Sequence, residues 1–235
     1  MKNIIIIRRF ELIIIILVLI LTGSLQIISK ETSMEFPLQQ RYPYCVAFTF
    51  DDGPYPVYTE KLVNLLKELN VHATFFVTGK NAERHPELIR LIDNNGHELG
   101  GHSHTPFNFT KLSNKKILYE LNKTKEIIKR ETNKDTCLFR PPGGHMNERV
   151  RKLIQDNGYE IIMWDVLPKD HELSTTQQMI TKHILEKTKN FDIVLLHQGR
   201  QSTMDSLPET IKTLRAKGFR LVTVSEISKM ESHPR

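Results

Sequence analysis

The chain is poor in cysteine: Cys45 and Cys137 are the two in 235 residues. One disulfide is the most they could form. Both fall in strand-like runs, so they read as free thiols that pack as small hydrophobes, although export would permit a bridge. A long basic block is also missing. Net charge is +6, but the lysines and arginines are dispersed, which describes a basic surface and not a nucleic-acid footprint. No internal repeat is apparent, and nothing marks an obligate protein partner. One long apolar run exists, near the N-terminus.

That run extends from Leu12 to Ile28, behind Lys2, Arg8 and Arg9. No Ala-x-Ala site follows it, and no cysteine follows Leu21-Thr-Gly, which removes the lipoprotein reading. The expectation is an uncleaved signal-anchor helix over residues 1–29, with a cleaved signal peptide as the alternative. The basic flank places the N-terminus in the cytoplasm and the remaining chain outside it, or secreted if the segment is cleaved. Residues 30–43 are polar and read as a tether.

With 39% hydrophobic residues, the rest can bury one substantial core, giving a single domain over residues 44–231. Strand-like runs lie at 46–50, 73–77, 98–101, 138–140, 160–165, 193–197 and 220–224. Helical patterns lie between them at 59–69, 82–94, 114–132, 147–157, 176–188 and 207–217. Gly96, Gly158 and Gly218 close three of these, as glycines beyond helix ends do. Alternating units predict an α/β fold with a parallel sheet, and seven of them suggest barrel-like closure.

The run Tyr44-Cys-Val-Ala-Phe-Thr-Phe50 ends in Asp51-Asp52-Gly-Pro54. Two adjacent carboxylates therefore emerge at a strand end, where like charges repel unless a cation or proton compensates. A polar turn would produce the same letters. The wider pattern favours a site: Asp51, Asp52, His102, Arg140, Asp165 and His197 all fall at or just after predicted strand ends. Parallel α/β folds build their sites on that face.

Taken together, the segments Thr49-Phe-Asp-Asp-Gly-Pro54, Gly100-Gly-His-Ser103, Phe139-Arg-Pro-Pro-Gly143, Trp164-Asp165 through Asp170, and Leu195-Leu-His197 resemble the polysaccharide deacetylase (NodB-homology) family, carbohydrate esterase family 4. The resemblance implies a distorted (β/α)7-type barrel and a metal-dependent hydrolase. Its substrates would be N-acetylated sugars of an envelope or extracellular polysaccharide: peptidoglycan, chitooligosaccharide or exopolysaccharide. It implies Asp51 as general base, Arg140 as the cation that orients it, His197 as general acid and Asp170 as the partner of that histidine. Gly143 would supply an oxyanion-binding N–H, and Trp164 a pocket wall. Asp52 and His102 would ligate a divalent metal, Zn²⁺ first, with Co²⁺ or Mn²⁺ as alternatives.

The chain departs from that family's pattern at several positions. The second metal histidine is replaced by Pro106, which cannot coordinate. Three outcomes stay open: His104 substitutes as ligand, since residues two apart share a face in an extended segment; the metal keeps Asp52, His102 and water; or the chain is a glycan-binding pseudo-deacetylase. Gly143 stands where the family has Tyr, His171 where it has Trp, Leu167 where many members have Asp, and Gln198 where Asp is common after the histidine. His145 is a further candidate neighbour of the site.

Overall fold

A computed structural model describes residues 44–231. The expected anchor at 1–29 and tether at 30–43 lie outside the described residues. Among those described, no helix is long and apolar enough to cross a membrane.

The first strand, β1 (Tyr44–Asp51), is the hub, and every residue after Tyr44 in it is buried. Along one edge, from Val46 to Asp51, it pairs with β6 (Asp192–His197). The other edge is shared. Thr49 to Asp51 pair with β2 (Thr74–Val77), and Tyr44 to Ala47 pair with β7 (Phe219–Val222). Beyond β2 come β3 (Glu98–Gly101), β4 (Leu138–Phe139) and β5 (Glu160–Ile161), giving the order β5-β4-β3-β2-β1-β6. All pairings are parallel. After β5 the chain crosses to the free edge of β6, where Val166 bridges Val194 and the Leu195 N–H donates to the Val166 carbonyl at 2.9 Å. The expected barrel is thus a curled seven-stranded sheet whose two ends meet at a single bridge.

Helices follow the strands: α1 (Tyr58–Glu68), α2 (Gly79–Arg84), α3 (Pro86–Asn94), α4 (Asn114–Thr132), α5 (Glu148–Asp156), α6 (Gln177–Lys187), α7 (Gln201–Ala216) and α8 (Val224–Glu231). α1 buries Leu62, Val63 and Leu66 on one face, against a core that includes Phe48, Phe50 and Phe75. The continuous helix expected over 82–94 is broken at His85, because Pro86 has no N–H and disfavours helical geometry in the residue before it. α4 begins where Ser113 accepts from the Lys116 N–H and stops at Asn133, which sits at φ +57°.

Two expectations are corrected. α7 starts at Gln201, six residues before Leu207, and Pro208 lies inside it. Its first two turns bury Thr203 and Ser206, hydroxyl side chains that an apolar periodicity does not register. Val224, read as the end of the last strand, instead opens α8.

Candidate active site

β1 and β6 set the site. Their register makes Asp51 and His197 direct partners across the pair, so both side chains leave the C-terminal end of the sheet together. Gln198 N–H continues the ladder by donating to the Asp51 carbonyl at 3.1 Å.

Asp51 is 3% exposed, and its carboxylate meets a fully buried guanidinium. Arg140 Nη1 lies 2.8 Å from Asp51 Oδ1 and donates to Thr49 Oγ1 at 2.6 Å. Its Nε donates to the Ile162 carbonyl at 3.2 Å and its Nη2 to the Met163 carbonyl at 3.1 Å. The Phe76 ring supports the guanidinium at 4.2 Å, and the Trp164 ring lies 5.9 Å from it. A buried cation with every nitrogen engaged cannot swing, so it fixes the orientation of the Asp51 carboxylate. Thr49 was not expected to contribute; nothing in its sequence context separates it from other strand threonines.

His197 is held from behind. Asp170 is fully buried, and its Oδ1 lies 2.7 Å from His197 Nδ1. Its Oδ2 accepts from the His197 N–H and from Thr203 Oγ1, each at 2.7 Å. Burial pushes the His197 pKa down, but the Asp170 hydrogen bond and the charges of Asp170, Asp51 and Asp52 outweigh it, so the net shift is upward. With Nδ1 held by Asp170, Nε2 is the ring nitrogen left for the cleft.

The metal-binding half is looser. His102 is buried, and its Nδ1 donates to the Arg140 carbonyl at 2.9 Å, which fixes the tautomer and leaves an Nε2 lone pair. That Nε2 is 3.6 Å from Asp52 Oδ1. Two atoms at that separation can each reach one cation about 2.1 Å away. Asp52 is placed by left-handed backbone at φ +78°, with its carbonyl accepting from Thr78 Oγ1 and Asn81 Nδ2, both at 3.2 Å. These two residues fit a divalent cation with open positions, but they are two protein ligands and not three.

His104 does not complete the set. The extended stretch ends at Gly101, and Ser103 at φ +69° turns the chain, so the alternation that would align His104 with His102 is lost. The His104 ring instead meets Tyr119 edge-on at 6.2 Å, and its Nδ1 lies 2.6 Å from where a Cβ on Gly79 would stand. Pro106 is exposed. The loop is held by Glu120, a fully buried residue of α4. Its Oε2 accepts from Thr105 N at 2.6 Å, Thr105 Oγ1 at 2.9 Å and Ser103 Oγ at 3.1 Å, while Lys116 Nζ lies 2.7 Å from its Oε1. An acidic residue on the buried face of an amphipathic helix was the signal for Glu120.

The remaining candidates separate clearly. Gly143 sits at φ +62° in a tight turn whose bonds come from Gly144 N and His145 N. His145 is exposed and packs over Gly143. Trp164 packs on Gly144 and forms a wall beside Arg140. Asp165 is not at the site: its Oδ2 accepts from the Ile193 N–H at 2.9 Å, near the opposite end of β6. Gln198 is buried, accepts from Thr59 Oγ1 at 2.7 Å and presses on Gly53, locking the loops after β1 and β6 together. His171 stacks edge-on against His197 at 5.1 Å. Asp170, His171 and His197 also bring ligand atoms within 4.8 Å of one another. Both Asp170 oxygens and His197 Nδ1 are already committed to hydrogen bonds, so this trio suits proton holding better than cation binding. Both cysteines are free, Cys45 buried and Cys137 exposed.

A family model described as polysaccharide deacetylase matches residues 39–162. A peptidoglycan-N-acetylglucosamine deacetylase of Bacillus cereus is 34% identical over 186 residues, which cover 77% of this chain and 87% of that protein. The peptidoglycan-N-acetylmuramic acid deacetylase PdaC of Bacillus subtilis is 34% identical over 187 residues, 79% of this chain but 39% of that longer protein. The solved structure of PdaC superposes with a TM-score of 0.74 at 32% identity, covering 80% of this chain and 92% of that one. A carbohydrate esterase family 4 pseudoenzyme from Bacillus anthracis superposes with the same TM-score, 0.74, at 28% identity, covering 78% and 65%.

Proposed function

The chain belongs to the polysaccharide deacetylase family, and from that premise we propose that it hydrolyses the acetamido groups of N-acetylated sugars in peptidoglycan. The observation that carries the reading is the pairing of Asp51 with His197 across β1 and β6, each fixed from behind by a buried partner. A buried base and a partly exposed acid on one strand-end face are what amide hydrolysis needs.

Asp51 accepts a proton from the attacking water, and Arg140 holds the carboxylate in place for it. As the acetyl carbon becomes tetrahedral, the Gly143 N–H supports the developing oxyanion. His197 Nε2 then gives its proton to the sugar nitrogen as the C–N bond breaks, releasing acetate and the free amine. Asp170 holds the imidazole in the orientation and protonation state for that transfer. A divalent cation, zinc first among the candidates, would be held by Asp52 and His102 and would polarise the acetyl carbonyl. Arg140 covers Asp51 from behind, and Trp164 stands beside that guanidinium.

Pro106, with no third protein ligand grouped beside Asp52 and His102 among the described residues, favours one alternative: a glycan binder without turnover. The two readings separate when the purified protein is incubated with N-acetylated glycan strands and Zn²⁺, Co²⁺ or Mn²⁺. New free amines and acetate in equal amounts support hydrolysis. Retention on the glycan with neither product, in wild type and Asp51→Asn alike, supports the binder. In the same reading, residues 1–29 anchor the chain with the domain outside the cytoplasm, near that polymer. Protease added to intact cells should then remove the domain.

A further inference from the structure

A cleft of about 360 Å³ runs from His197 and Asp52 to residues that the acetamide chemistry does not use. It is lined by Asp52, Tyr55, Tyr58, His171, Gln198 and Arg200, with His197 and Gly199 completing it. We propose that this cleft is a subsite for a carboxylate on the substrate, so that the enzyme prefers an N-acetylated sugar carrying an acidic substituent, such as the lactyl ether of a muramic acid unit, over a neutral one. The inference rests on the deacetylase reading above and names which sugar it acts on.

Four observations converge. Arg200 Nη2 donates to the His171 carbonyl, which pins the guanidinium at the rim, and Arg200 has no carboxylate partner among the described residues. Elsewhere on the described surface, arginines and lysines commonly pair with acids, as in Arg90 with Glu131 and Lys134 with Asp93. A fixed, unpaired guanidinium presents its remaining N–H groups as a fork that matches a carboxylate. Asp52 is the acidic residue in the lining. Arg200 is the guanidinium that a ligand meets at the rim.

Gln198 is the second observation. It is 4% exposed, its Oε1 accepts from Thr59, and its Nε2 is buried with no hydrogen-bond partner. A buried amide donor left empty is costly, and an acceptor brought into this cleft would relieve it. Tyr55 is the third. Its ring packs over Gly199, which at φ +83° brings the backbone close beneath it, and burial followed by the Asp52 charge raises its pKa. The phenol therefore stays protonated and can donate. Tyr58, exposed at the rim, is the fourth and offers an apolar face to the sugar ring beside these donors. The Arg200 guanidinium, the unpartnered Gln198 amide and the Tyr55 phenol bring three donors to the lining of one cleft, as an anion site requires.

The test uses two substrates of equal length: peptidoglycan glycan strands with their lactyl carboxylates free, and the same strands with those carboxylates amidated. The reading is the ratio of kcat/KM for free over amidated strands, in wild type, Arg200→Gln and Arg200→Lys. The expected wild-type ratio is about tenfold or more, falling to near one in Arg200→Gln through KM and partly kept in Arg200→Lys, in line with one charge-assisted hydrogen bond. A wild-type ratio near one, or a ratio that Arg200→Gln leaves unchanged, overturns the proposal. Calorimetric binding of both strands to Asp51→Asn protein reads the subsite without turnover. Tighter binding of the free-carboxylate strand supports the subsite even if no acetate is ever released, and equal binding overturns it.

Discussion

At the scale of single residues, the acid half of the site makes a testable statement about pH. The folded-state pKa of His197 lies above the usual histidine value, so the imidazole stays protonated to higher pH than a free one. General-acid catalysis therefore runs below that pKa and falls as pH rises through it. The stability linked to this histidine has the same sign, present below the ordinary value of about 6.5 and lost as pH rises through the folded pKa. Asp170→Asn removes the largest upward contribution, and the alkaline limb of the kcat profile should move to lower pH by a resolvable margin. A limb that stays in place would mean that another group titrates. A cation on Asp52 would cancel part of the upward shift, so the limb should also move down when metal is bound. The base half is legible for a different reason. Asp51 was visible in the sequence as a carboxylate at a strand end, but Thr49, which takes part of the Arg140 guanidinium, was not, because strand threonines have many roles.

At the scale of elements, β3 is closely packed on both sides. A Cβ on Gly100 would stand 2.6 Å from the Phe76 ring and 3.2 Å from Leu138. Phe76 in turn supports Arg140. Gly100→Ala should therefore cost about 1–3 kcal/mol of stability, read as a lower urea midpoint, and should reduce activity through the shifted guanidinium. Full activity at unchanged stability would show that the ring has room to move.

The sequence made most of these elements legible. Six of the seven expected strands appear with small shifts at their ends, because buried parallel strands are short runs of apolar residues. The run at 160–165 split into a two-residue strand and a later bridge at Val166, since its second half leaves β5 to reach β6. The helix at 82–94 split at a proline that the sequence displayed. α7 was entered too late because Met204 is the one apolar residue on its early buried face, beside Thr203 and Ser206, whose hydroxyls serve Asp170 and a neighbouring carbonyl. His104 was misplaced because the alternation argument presumes extended backbone, and a left-handed serine interrupts it.

At the scale of the whole molecule, stability in acid should hinge on His97. It is 4% exposed, its Nδ1 accepts from the Ala73 N–H at 3.3 Å, and burial, followed by the His72 charge, pushes its pKa down to about 4. Between the unfolded value of about 6.5 and the folded value, the unfolded chain binds the extra proton. Stability should therefore fall as pH drops through that window, by on the order of 3 kcal/mol in all. His97→Gln should flatten this part of a urea-midpoint profile; an unchanged slope would assign acid sensitivity to other groups. The fold carries its proposed chemistry on one rim, at the ends of β1, β3, β4 and β6.

The most direct test of the central claim is acetate release from peptidoglycan glycan strands by the metal-supplied protein, with Asp51→Asn alongside. The account predicts stoichiometric acetate and free amine from the wild type, and about 10²–10⁴-fold less from Asp51→Asn at unchanged folding. No acetate from the wild type with any of Zn²⁺, Co²⁺ or Mn²⁺, or equal release by the two proteins, would contradict it.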